Sequence, residues 1–498
     1  MTLATDDAAA HVARSWDEDI VPALHDYIRI PNVSVAFDAT WAESGHMAAA
    51  TELLRAWCQR HADEGLAGAT VEVQEIEGRT PLLIVDVPPV GSGTSDDTVL
   101  LYGHLDKQPP FTGWRDGLGP WEPVVDGDRL YGRGSADDGY STFSAITALE
   151  AVRAAGGSHH RCIVLIEASE ESGSPDLPAH LDALGDRLGQ PSLVIALDSW
   201  CGDWDRLWIT TSLRGLLDMT VDVEVLTEGV HSGSAGGVVP SSFRILRSLI
   251  SRIEDERTGE LLVRELHVDI PDQRLRQIAA TAPDLGDFAD RFPFAGDARP
   301  ERPSTEQMLI ARTWQPALEV VGIAGAPAPA DAGNVLRPGT SVKLSVRVPP
   351  TADPVAAADA IERRLTADPP YGARVTVHRG SAEAGWHAPP ETPWLARAVE
   401  SASMAAFGAP PRSLGEGGTI PFMGMLGRRF PEAQFVITGV LGPESNAHGP
   451  NEFLHLPTAH KVTTAVAHIL DAHARRPGAP RPPASASPAD ADVEPQPT

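Results

Sequence analysis

Residues 98–110 read TVLLYGHLDKQPP, an apolar run that stops at a histidine and an aspartate. The uncharged residues 98–103 are typical of a strand buried on both faces, as in a sheet covered by helices. His104 and Asp106 follow at a spacing of two, so a continued extended backbone points both side chains the same way. Proteins orient a metal-binding histidine with a nearby carboxylate, but this pair alone fits a surface loop equally well.

Strand-like and helix-like segments alternate around this run. Strand patterns occupy residues 70–76, 82–87, 161–166 and 192–197, and helical patterns occupy residues 7–30, 141–155 and 177–188. Alternation of this kind is typical of an α/β domain with a mostly parallel sheet. The sequence therefore predicts an α/β domain around the strand at 98–103.

The pattern changes near residue 210. Residues 216–226 (LLDMTVDVEVL) alternate apolar and polar side chains, as a half-buried antiparallel strand does. Further strand patterns lie at 317–323, 341–348 and 374–378, with helical patterns at 241–253 and 353–365. The α/β pattern resumes after residue 384. We therefore predict a smaller α+β domain (213–384) inserted into a larger one (1–212 and 385–476), followed by a disordered tail (477–498) rich in Pro and Ala.

Composition excludes several classes of function. The 498 residues include 68 acidic and 40 basic side chains, and the net charge of −28 argues against binding nucleic acid. No apolar run reaches the ~18 residues of a membrane span, and the acidic first segment does not resemble a secretory signal. Cys58, Cys162 and Cys201 are too few and too scattered for a disulfide framework. We expect a cytoplasmic protein in which histidines and carboxylates hold any metal.

Acidic residues gather where apolar strands end. The segment IVLIEASEESGS (163–174) leads from a buried strand into Glu167, Glu170 and Glu171, and SLVIALDSW (192–200) runs from a strand into Asp198. Ligands of α/β sheets bind at the carboxyl ends of the strands. Paired carboxylates at that edge suit one metal ligand plus one general base.

Three further segments carry candidate residues. RLYGRGSADDGYS (129–141) places Asp137 and Asp138 before a helix, where a cation or the helix N-terminus offsets their repulsion. GPESNAHGPNEF (442–453) places His448 in a loop, and EGVHSGSAGG (228–237) places His231 in a glycine-rich loop. Each segment alone fits an ordinary solvated turn. Together with the strand ends they indicate a site of histidines and carboxylates, which suits zinc or manganese.

Taken in order, these segments resemble the metallopeptidase family that contains carnosinase, nonspecific cytosolic dipeptidase, aminoacylase, carboxypeptidase G and succinyl-diaminopimelate desuccinylase. The resemblance covers residues 10–475 approximately and rests on GHLD, GRGSADD, EESGS, Asp198 and AHGPNE in combination. SLRG (212–215), HSGSAGG (231–237) and EGGTIP (416–421) resemble the dipeptidase branch in particular. The resemblance implies a zinc-peptidase-like α/β catalytic domain with a mixed sheet, and an inserted α+β lid that forms a homodimer.

The resemblance also implies a co-catalytic pair of metal ions, two Zn2+ or Mn2+. His104 and Asp198 would hold one ion, and Glu171 and His448 would hold the other. Asp137 would bridge the two ions. All five residues are present in this chain.

Further roles follow from the same resemblance. Glu170 would be the general base, Asp106 the partner that orients the first histidine ligand, and His231 a group that reaches the partner subunit's active site. Glu416 would meet a free substrate amine. The residues that would bind the substrate are Asn334, Arg347, Glu416, Gly418 and Thr419.

Two positions depart from the family pattern. Gly139 and Tyr140 follow the aspartate pair where the family often has lysine, and Gly415 stands where dipeptidases commonly have arginine. Neither position is a ligand or the base, so the departures bear on the substrate rather than on the chemistry.

Three functions are left open by the sequence. The first is a metallo-dipeptidase, which the lid motif and Glu416 favour. The second is a deacylase or amidohydrolase that acts on N-acyl amino acids or carbamoyl compounds with the same metals and base. The third is a non-catalytic protein that kept the fold, and the complete set of ligands argues against it.

Overall fold

The strand that ends at His104 lies inside a six-stranded sheet in the computed structural model, which describes residues 3–478. The strands in chain order are β1 (Thr70–Gln74), β2 (Leu82–Val87), β3 (Thr98–His104), β4 (Val124–Asp126), β5 (Arg129–Tyr131), β6 (Arg161–Glu167), β7 (Pro191–Ala196), β8 (Trp208–Leu213), β9 (Gly215–Glu224), β10 (Val230–His231), β11 (Ala317–Ala324), β12 (Val335–Leu336), β13 (Gly339–Val348), β14 (Arg374–Glu383), β15 (Trp386–His387), β16 (Arg412–Glu416), β17 (Gln434–Ile437) and β18 (Phe453–His455). Nearly all of the tail predicted at 477–498 lies outside the described residues.

Helices occupy much of the remaining chain. They are α1 (Thr5–Ser15), α2 (Val21–Ile28), α3 (Trp41–Ser44), α4 (His46–Glu64), α5 (Tyr140–Ala154), α6 (Leu177–Leu184), α7 (Ser232–Ala235), α8 (Ser242–Ile250), α9 (Asp272–Leu285), α10 (Thr305–Trp314), α11 (Pro354–Thr366), α12 (Pro393–Phe407), α13 (Pro421–Arg429) and α14 (Leu456–Ala474). A π-helical turn at Trp16–Ile20 joins α1 to α2. Within residues 3–478, no helix has both the length and the apolar character needed to cross a membrane.

The main sheet has the strand order β1-β2-β6-β3-β7-β17. Strands β6, β3, β7 and β17 run parallel, whereas β2 is antiparallel to β6 and β1 to β2. Alternate residues of β3 serve opposite faces, because Val99 and Leu101 pack in one apolar cluster and Leu100 and Tyr102 in another. The mixed sheet, buried on both faces, confirms the predicted fold class. The parallel strands bring their carboxyl ends to one edge.

A smaller α+β unit lies between β8 and β15 in the chain. Its antiparallel sheet has the order β11-β13-β9-β14, and the residues of β9 alternate between buried and half-buried. The buried face packs against α8 and α11. The predicted cap of α11 is present, because the Asp353 side chain accepts hydrogen bonds from the N–H groups of Val355 and Ala356.

A small sheet of order β18-β5-β4 joins two distant parts of the chain. β5 and β18 are antiparallel, with Tyr131 opposite Phe453. The loop that follows β5 and the loop that precedes β18 therefore leave the same end of this sheet. These two loops carry Asp137 and His448.

Candidate metal centre

Three side chains converge where β3 and β7 end. His104 is the last residue of β3, and Asp198 follows the neighbouring parallel strand β7 by two residues. His104 Nε2 lies 3.4 Å from Asp137 Oδ1 and 3.7 Å from Asp198 Oδ2. All three side chains are buried. They form one group that is able to hold a metal ion.

Asp137 also belongs to a second group of this kind. Its other members are Glu171, in the short turn Glu170–Ser172 after β6, and His448. His448 Nε2 lies 3.0 Å from Asp137 Oδ2 and 3.2 Å from Glu171 Oε2. The two carboxylate oxygens of Asp137 therefore face different groups, as a bridging ligand requires. The structure places the five residues predicted as ligands in two adjoining groups.

The donor atoms of these groups fit a pair of divalent cations. Two of them, His104 Nε2 and Glu171 Oε1, are buried and have no hydrogen-bond partner among the described residues. Leaving a buried polar atom unpaired costs about 1–3 kcal/mol, so such atoms are rare in proteins unless something binds them. Imidazole nitrogen and carboxylate oxygen are the donors that zinc and manganese accept.

The electrostatics of the centre also favour bound cations. Burial raises the pKa of the Asp198 carboxyl to about 7, and the negative charges of Asp137 and Glu171 add to the shift. Partial removal from water lowers the pKa of His448, whose side chain is still 57% exposed, but its contacts with Asp137 and Glu171 outweigh this effect and raise that pKa to about 11. Buried carboxylates this close together are stabilised by a positive charge between them.

Asp106 contacts two parts of the centre. Its backbone carbonyl oxygen lies 3.0 Å from His104 Nδ1, whereas its carboxylate lies 3.5 Å from the same nitrogen. The carboxylate accepts hydrogen bonds from the backbone N–H groups of Glu170 at 3.0 Å and Glu171 at 3.1 Å. An Nδ1–H that donates to the carbonyl leaves the lone pair of Nε2 free for a metal. Asp106 thus orients the imidazole through its carbonyl and holds the acidic turn through its side chain.

Asp138 and Gly103 hold the backbone of His104 close to the loop at 132–139. Asp138 Oδ2 accepts a hydrogen bond from the N–H of His104 at 3.1 Å, and the peptide bond between Asp137 and Asp138 is cis. A Cβ atom at Gly103 would lie 2.1 Å from Ser141 Oγ and 2.7 Å from Asp138 Oδ2. This close approach requires glycine at position 103.

The two departures from the family pattern have a steric cause. A Cβ atom at Gly139 would lie 2.2 Å from Tyr27 Cε1, and one at Gly415 would lie 2.3 Å from Ser212 Oγ. A lysine or an arginine at these positions would displace its neighbours. The chain therefore has glycine at both positions.

No sequence motif predicted a role for two residues that contact the ligands, Gln108 and Glu452. Gln108 Nε2 donates a hydrogen bond to Glu171 Oε2 at 2.5 Å. The buried carboxylate of Glu452 pairs with Arg133 and accepts a hydrogen bond from the N–H of Asp137 at 3.3 Å. Glu452 is the acid that ends AHGPNE. An acid that follows Pro and Asn has no local pattern that predicts its burial.

The residues predicted to bind a substrate amine lie beside a group of arginines. The Oε1 atom of Glu416 is buried and has no hydrogen-bond partner within the described part of the chain. Burial raises the pKa of Glu416, and the charge of Arg312 opposes this shift. Thr419 Oγ1 donates to the carbonyl of Arg214 at 2.6 Å, and the space that a Cβ at Gly418 would enter is open. A buried carboxylate oxygen without a partner accepts a hydrogen bond readily from a ligand that reaches it.

The structure does not bring His231 to the metal-binding groups of its own chain. His231 is exposed, and its Nδ1 accepts a hydrogen bond from the N–H of Gly233 at 3.1 Å. It pairs with Val335 across β10 and β12, and the N–H of Ser232 donates to the carbonyl of Asn334 at 2.9 Å. Between residues 3 and 478, no hydrogen bond or ion pair joins His231 to either group. His231 and Asn334 are thus neighbours on one ribbon, while Arg347 lies half-buried in β13.

A third cluster of potential ligands, Asp97, His160 and His473, does not fit a metal. Asp97 is paired with Arg476, which already supplies a positive charge. His160 Nδ1 accepts a hydrogen bond from the N–H of Thr94 at 3.0 Å, so the proton of the neutral ring is on Nε2. That nitrogen then has no lone pair for a cation. We interpret the cluster as an ion-pair network that anchors the end of α14.

Comparison with known proteins agrees with this geometry. The family described as Peptidase family M20/M25/M40 matches residues 100–472. The cysteinylglycine-S-conjugate dipeptidase of Corynebacterium striatum is 30% identical over 77% of this chain and 82% of its own length. The β-Ala-His dipeptidase of Homo sapiens is 27% identical over 74% of each chain.

The fold is also similar to that of solved structures. Human carnosine dipeptidase 1 superposes with a TM-score of 0.73 at 22% identity, over 95% of this chain and 99% of the other. At that level of identity the likeness concerns the fold alone. The sequence match, however, extends from β3 to α14 and includes both metal-binding groups. The chain therefore belongs to peptidase family M20/M25/M40.

Proposed function

We propose that this chain is a metallo-dipeptidase that hydrolyses dipeptides or short peptides with two divalent cations, zinc or manganese. The observation that carries the proposal is the pair of adjoining groups that share Asp137 and contain buried, unpaired donor atoms. His104 and Asp198 would hold one ion, and Glu171 and His448 the other. Two relatives in the family are dipeptidases by name, which supports this class of substrate.

Glu170 is the residue we assign to proton transfer. The backbone N–H of Glu170 donates a hydrogen bond to the Asp106 carboxylate, which fixes the turn that carries Glu170. Burial raises the pKa of Glu170 well above its usual range, and the charge of Asp198 adds to the shift. A carboxylate with a raised pKa accepts a proton from the attacking water and returns it to the leaving nitrogen near neutral pH. The cations, when bound, supply Lewis acidity at the scissile carbonyl and lower the pKa of the water.

The two ends of the substrate have separate candidate partners. We assign the free amine to Glu416, whose buried Oε1 lacks a partner among the described residues, with Gly418 and Thr419 beside it. We assign the carboxylate to Asn334 and Arg347. His231 would stabilise the negative charge that develops on the carbonyl oxygen. Because His231 does not reach the metal-binding groups of its own chain, we assign it to the active site of a partner subunit.

The same proposal includes a cytoplasmic homodimer formed through an inserted domain at 213–384, between the two parts (1–212 and 385–476) of the catalytic domain. Strand β11 is at the edge of the inserted sheet, and its Val320, Val321 and Ile323 are 48%, 59% and 63% exposed. An exposed apolar edge strand is a surface that a second chain covers readily. The three cysteines are free and buried, which suits a reducing compartment.

The experiment is an assay of dipeptides beside N-acetyl amino acids, with added Zn2+ or Mn2+ and with a chelator. We expect cleavage of the free-amine dipeptides, its loss with the chelator, and its return when metal is restored. Glu170→Gln should lower kcat by at least ~100-fold, the usual contribution of a general base. Glu64→Gln, on the exposed side of α4, is the control and should keep full activity.

Two outcomes would contradict the proposal. Cleavage of only the blocked substrates would identify a deacylase, since the metals and base would be the same but Glu416 would have no amine to bind. Absence of cleavage with either metal would remove the hydrolytic function.

A further inference from the structure

Two loops with metal ligands approach each other at one end of the small sheet. The loop after β5 carries Asp137, and the loop before β18 carries His448. The second loop has little regular structure, and Glu444, Asn446 and His448 all have positive φ. The His448 side chain is 57% exposed, so burial contributes little to holding it. Apart from its own contacts with Asp137 and Glu171, its position depends on contacts made by the rest of the loop.

Glu452 connects the second loop to the first. Its carboxylate accepts hydrogen bonds from four N–H groups, those of Arg133 Nη1 at 2.6 Å, Gly134 N at 3.2 Å, Ala136 N at 3.1 Å and Asp137 N at 3.3 Å. The side chain of Glu452 is 0% exposed. Because all four partners are donors, only the carboxylate form satisfies them. A glutamine at position 452 would place the N–H bonds of its side-chain amide against N–H groups of these partners.

Arg133 lies in the first loop and contacts the second. Its Nη1 pairs with Glu452, and its Nη2 donates to the carbonyl oxygen of Gly449, next to His448, at 2.5 Å. The rings of Phe111 and Trp114 lie 5.5 and 5.9 Å from the guanidinium carbon. Such aromatic neighbours stabilise the cation and reduce its access to water. The guanidinium of Arg133 thus contacts two residues near the end of the second loop, Gly449 and Glu452.

We propose that Arg133 and Glu452 are positioning residues that fix the spacing of Asp137 and His448. Neither residue belongs to the two metal-binding groups. Glu452 holds the backbone of the bridging aspartate, and Arg133 holds the carbonyl next to the exposed histidine. The pair therefore sets the affinity for the ion that these two ligands share. The inference rests on the proposed metal centre.

The test compares parent protein with Glu452→Gln protein in three measurements. The first is zinc affinity, from competition with a chromophoric chelator. The second is amide hydrogen exchange at 132–139 and 442–452 in metal-free protein. The third is thermal unfolding of metal-free protein. We expect Glu452→Gln to weaken zinc binding by about 10–100-fold, as loss of a ligand-orienting contact does. Exchange in both loops should become faster while the metal-free protein stays folded.

Two more variants separate positioning from general stability. Arg133→Lys keeps a charge for Glu452 but lacks the fork that reaches Gly449, so exchange should become faster at 442–452 and not at 132–139. Asp86→Asn removes a different, partly buried ion pair, in which Arg161 Nε lies 2.9 Å from Asp86 Oδ1 in the main sheet. It is the control and should leave zinc affinity unchanged.

The outcomes distinguish this inference from the proposed function. Parent protein that binds no zinc would overturn the metal centre and the inference together. Parent protein that binds zinc, with equal affinity in Glu452→Gln protein, would overturn only the positioning role. If Glu452→Gln protein does not fold, unchanged affinity and exchange in Arg133→Lys protein would overturn it instead.

Discussion

Gly103 precedes His104 at a point where two side chains pass close to the backbone. Because a Cβ atom there would lie 2.1 Å from Ser141 Oγ and 2.7 Å from Asp138 Oδ2, even alanine forces a shift. We expect Gly103→Ala to lower the free energy of unfolding by about 1–3 kcal/mol, the usual cost of overpacking. It should also lower activity, since Asp138 holds the N–H of His104. Urea unfolding and the dipeptide assay measure the two effects.

The control for this prediction is Gly322→Ala in β11. A Cβ atom there would lie 3.5 Å from Lys343 Cβ, which is an ordinary contact. Its free energy of unfolding should stay within about 0.5 kcal/mol of the parent value. Equal stability of the two variants would contradict the steric argument.

The sequence predicted the positions of some site residues and carried no signal for others. His104 and Asp198 were predictable because residues that follow buried parallel strands share one edge of a sheet. Glu452 was not, because its partners are N–H groups more than 300 residues earlier in the chain. No local pattern encodes such a pairing. Gly139 was noticed as unusual, but only the position of Tyr27 explains it.

The first helices pack around a buried histidine. In α4, His61 Nδ1 lies 2.8 Å from Glu150 Oε1 of α5, and its Nε2 lies 2.8 Å from Asp19 Oδ2 of the turn between α1 and α2. Burial raises the pKa of both carboxyls, but hydrogen bonds from Arg60 and His61 outweigh it for Asp19, and hydrogen bonds from His11 and His61 outweigh it for Glu150, so both pKa values are lowered. A carboxyl whose pKa is lower in the folded state stabilises the fold above its unfolded pKa, and this contribution is lost as pH falls through the folded value.

Glu150→Gln tests this contact between helices. At pH 7 we expect the substitution to lower the free energy of unfolding by about 1–3 kcal/mol, the cost of leaving a buried polar partner unpaired. The difference from the parent should begin to shrink below pH 4.5, the ordinary pKa of glutamate, because the unfolded chain is then protonated, and it should be smallest once the pH falls below the lowered folded pKa, where the folded parent loses the same charge. Urea unfolding from pH 7 to pH 4 measures it. Glu64→Gln, on the exposed side of α4, should show no such difference, and a constant deficit for Glu150→Gln would contradict the linkage.

Elements with a clear periodic pattern were predicted well. The helix after Asp353 and the alternating strand β9 both occur as expected, because capping and alternation are local signals. Helix α4 was not predicted, although its buried Met47, Ala50, Leu54 and Trp57 are spaced as in a helix. Strand β8 was not predicted either, because it pairs with β16, about 200 residues later in the chain. Its environment is set by the tertiary structure.

The candidate site residues of the whole molecule are carried by several different sheets. The metal-binding groups lie at the edge of the main sheet, whereas His231 and Asn334 lie on the ribbon of β10 and β12. Within one chain, among residues 3–478, no hydrogen bond or ion pair connects the two sets. Under the proposed function, a second subunit supplies the ribbon to the metal-binding groups. An exposed apolar edge strand in the same unit offers the surface for that association.

Complementation between two inactive subunits tests this arrangement. Glu170→Gln removes the proposed base and His231→Ala removes the proposed partner group, so each homodimer should be inactive. In a heterodimer purified through two different tags, one active site would combine an intact Glu170 with an intact His231 from the other chain. That heterodimer should recover about half of the parent kcat, because one of its two symmetric sites is complete.

A heterodimer of Glu170→Gln and Glu171→Gln is the control. Its first variant supplies an intact Glu171 only to its own site, so it should stay inactive. An inactive heterodimer of Glu170→Gln with His231→Ala would show that His231 acts within its own chain, and an active His231→Ala homodimer would show that His231 has no role in catalysis.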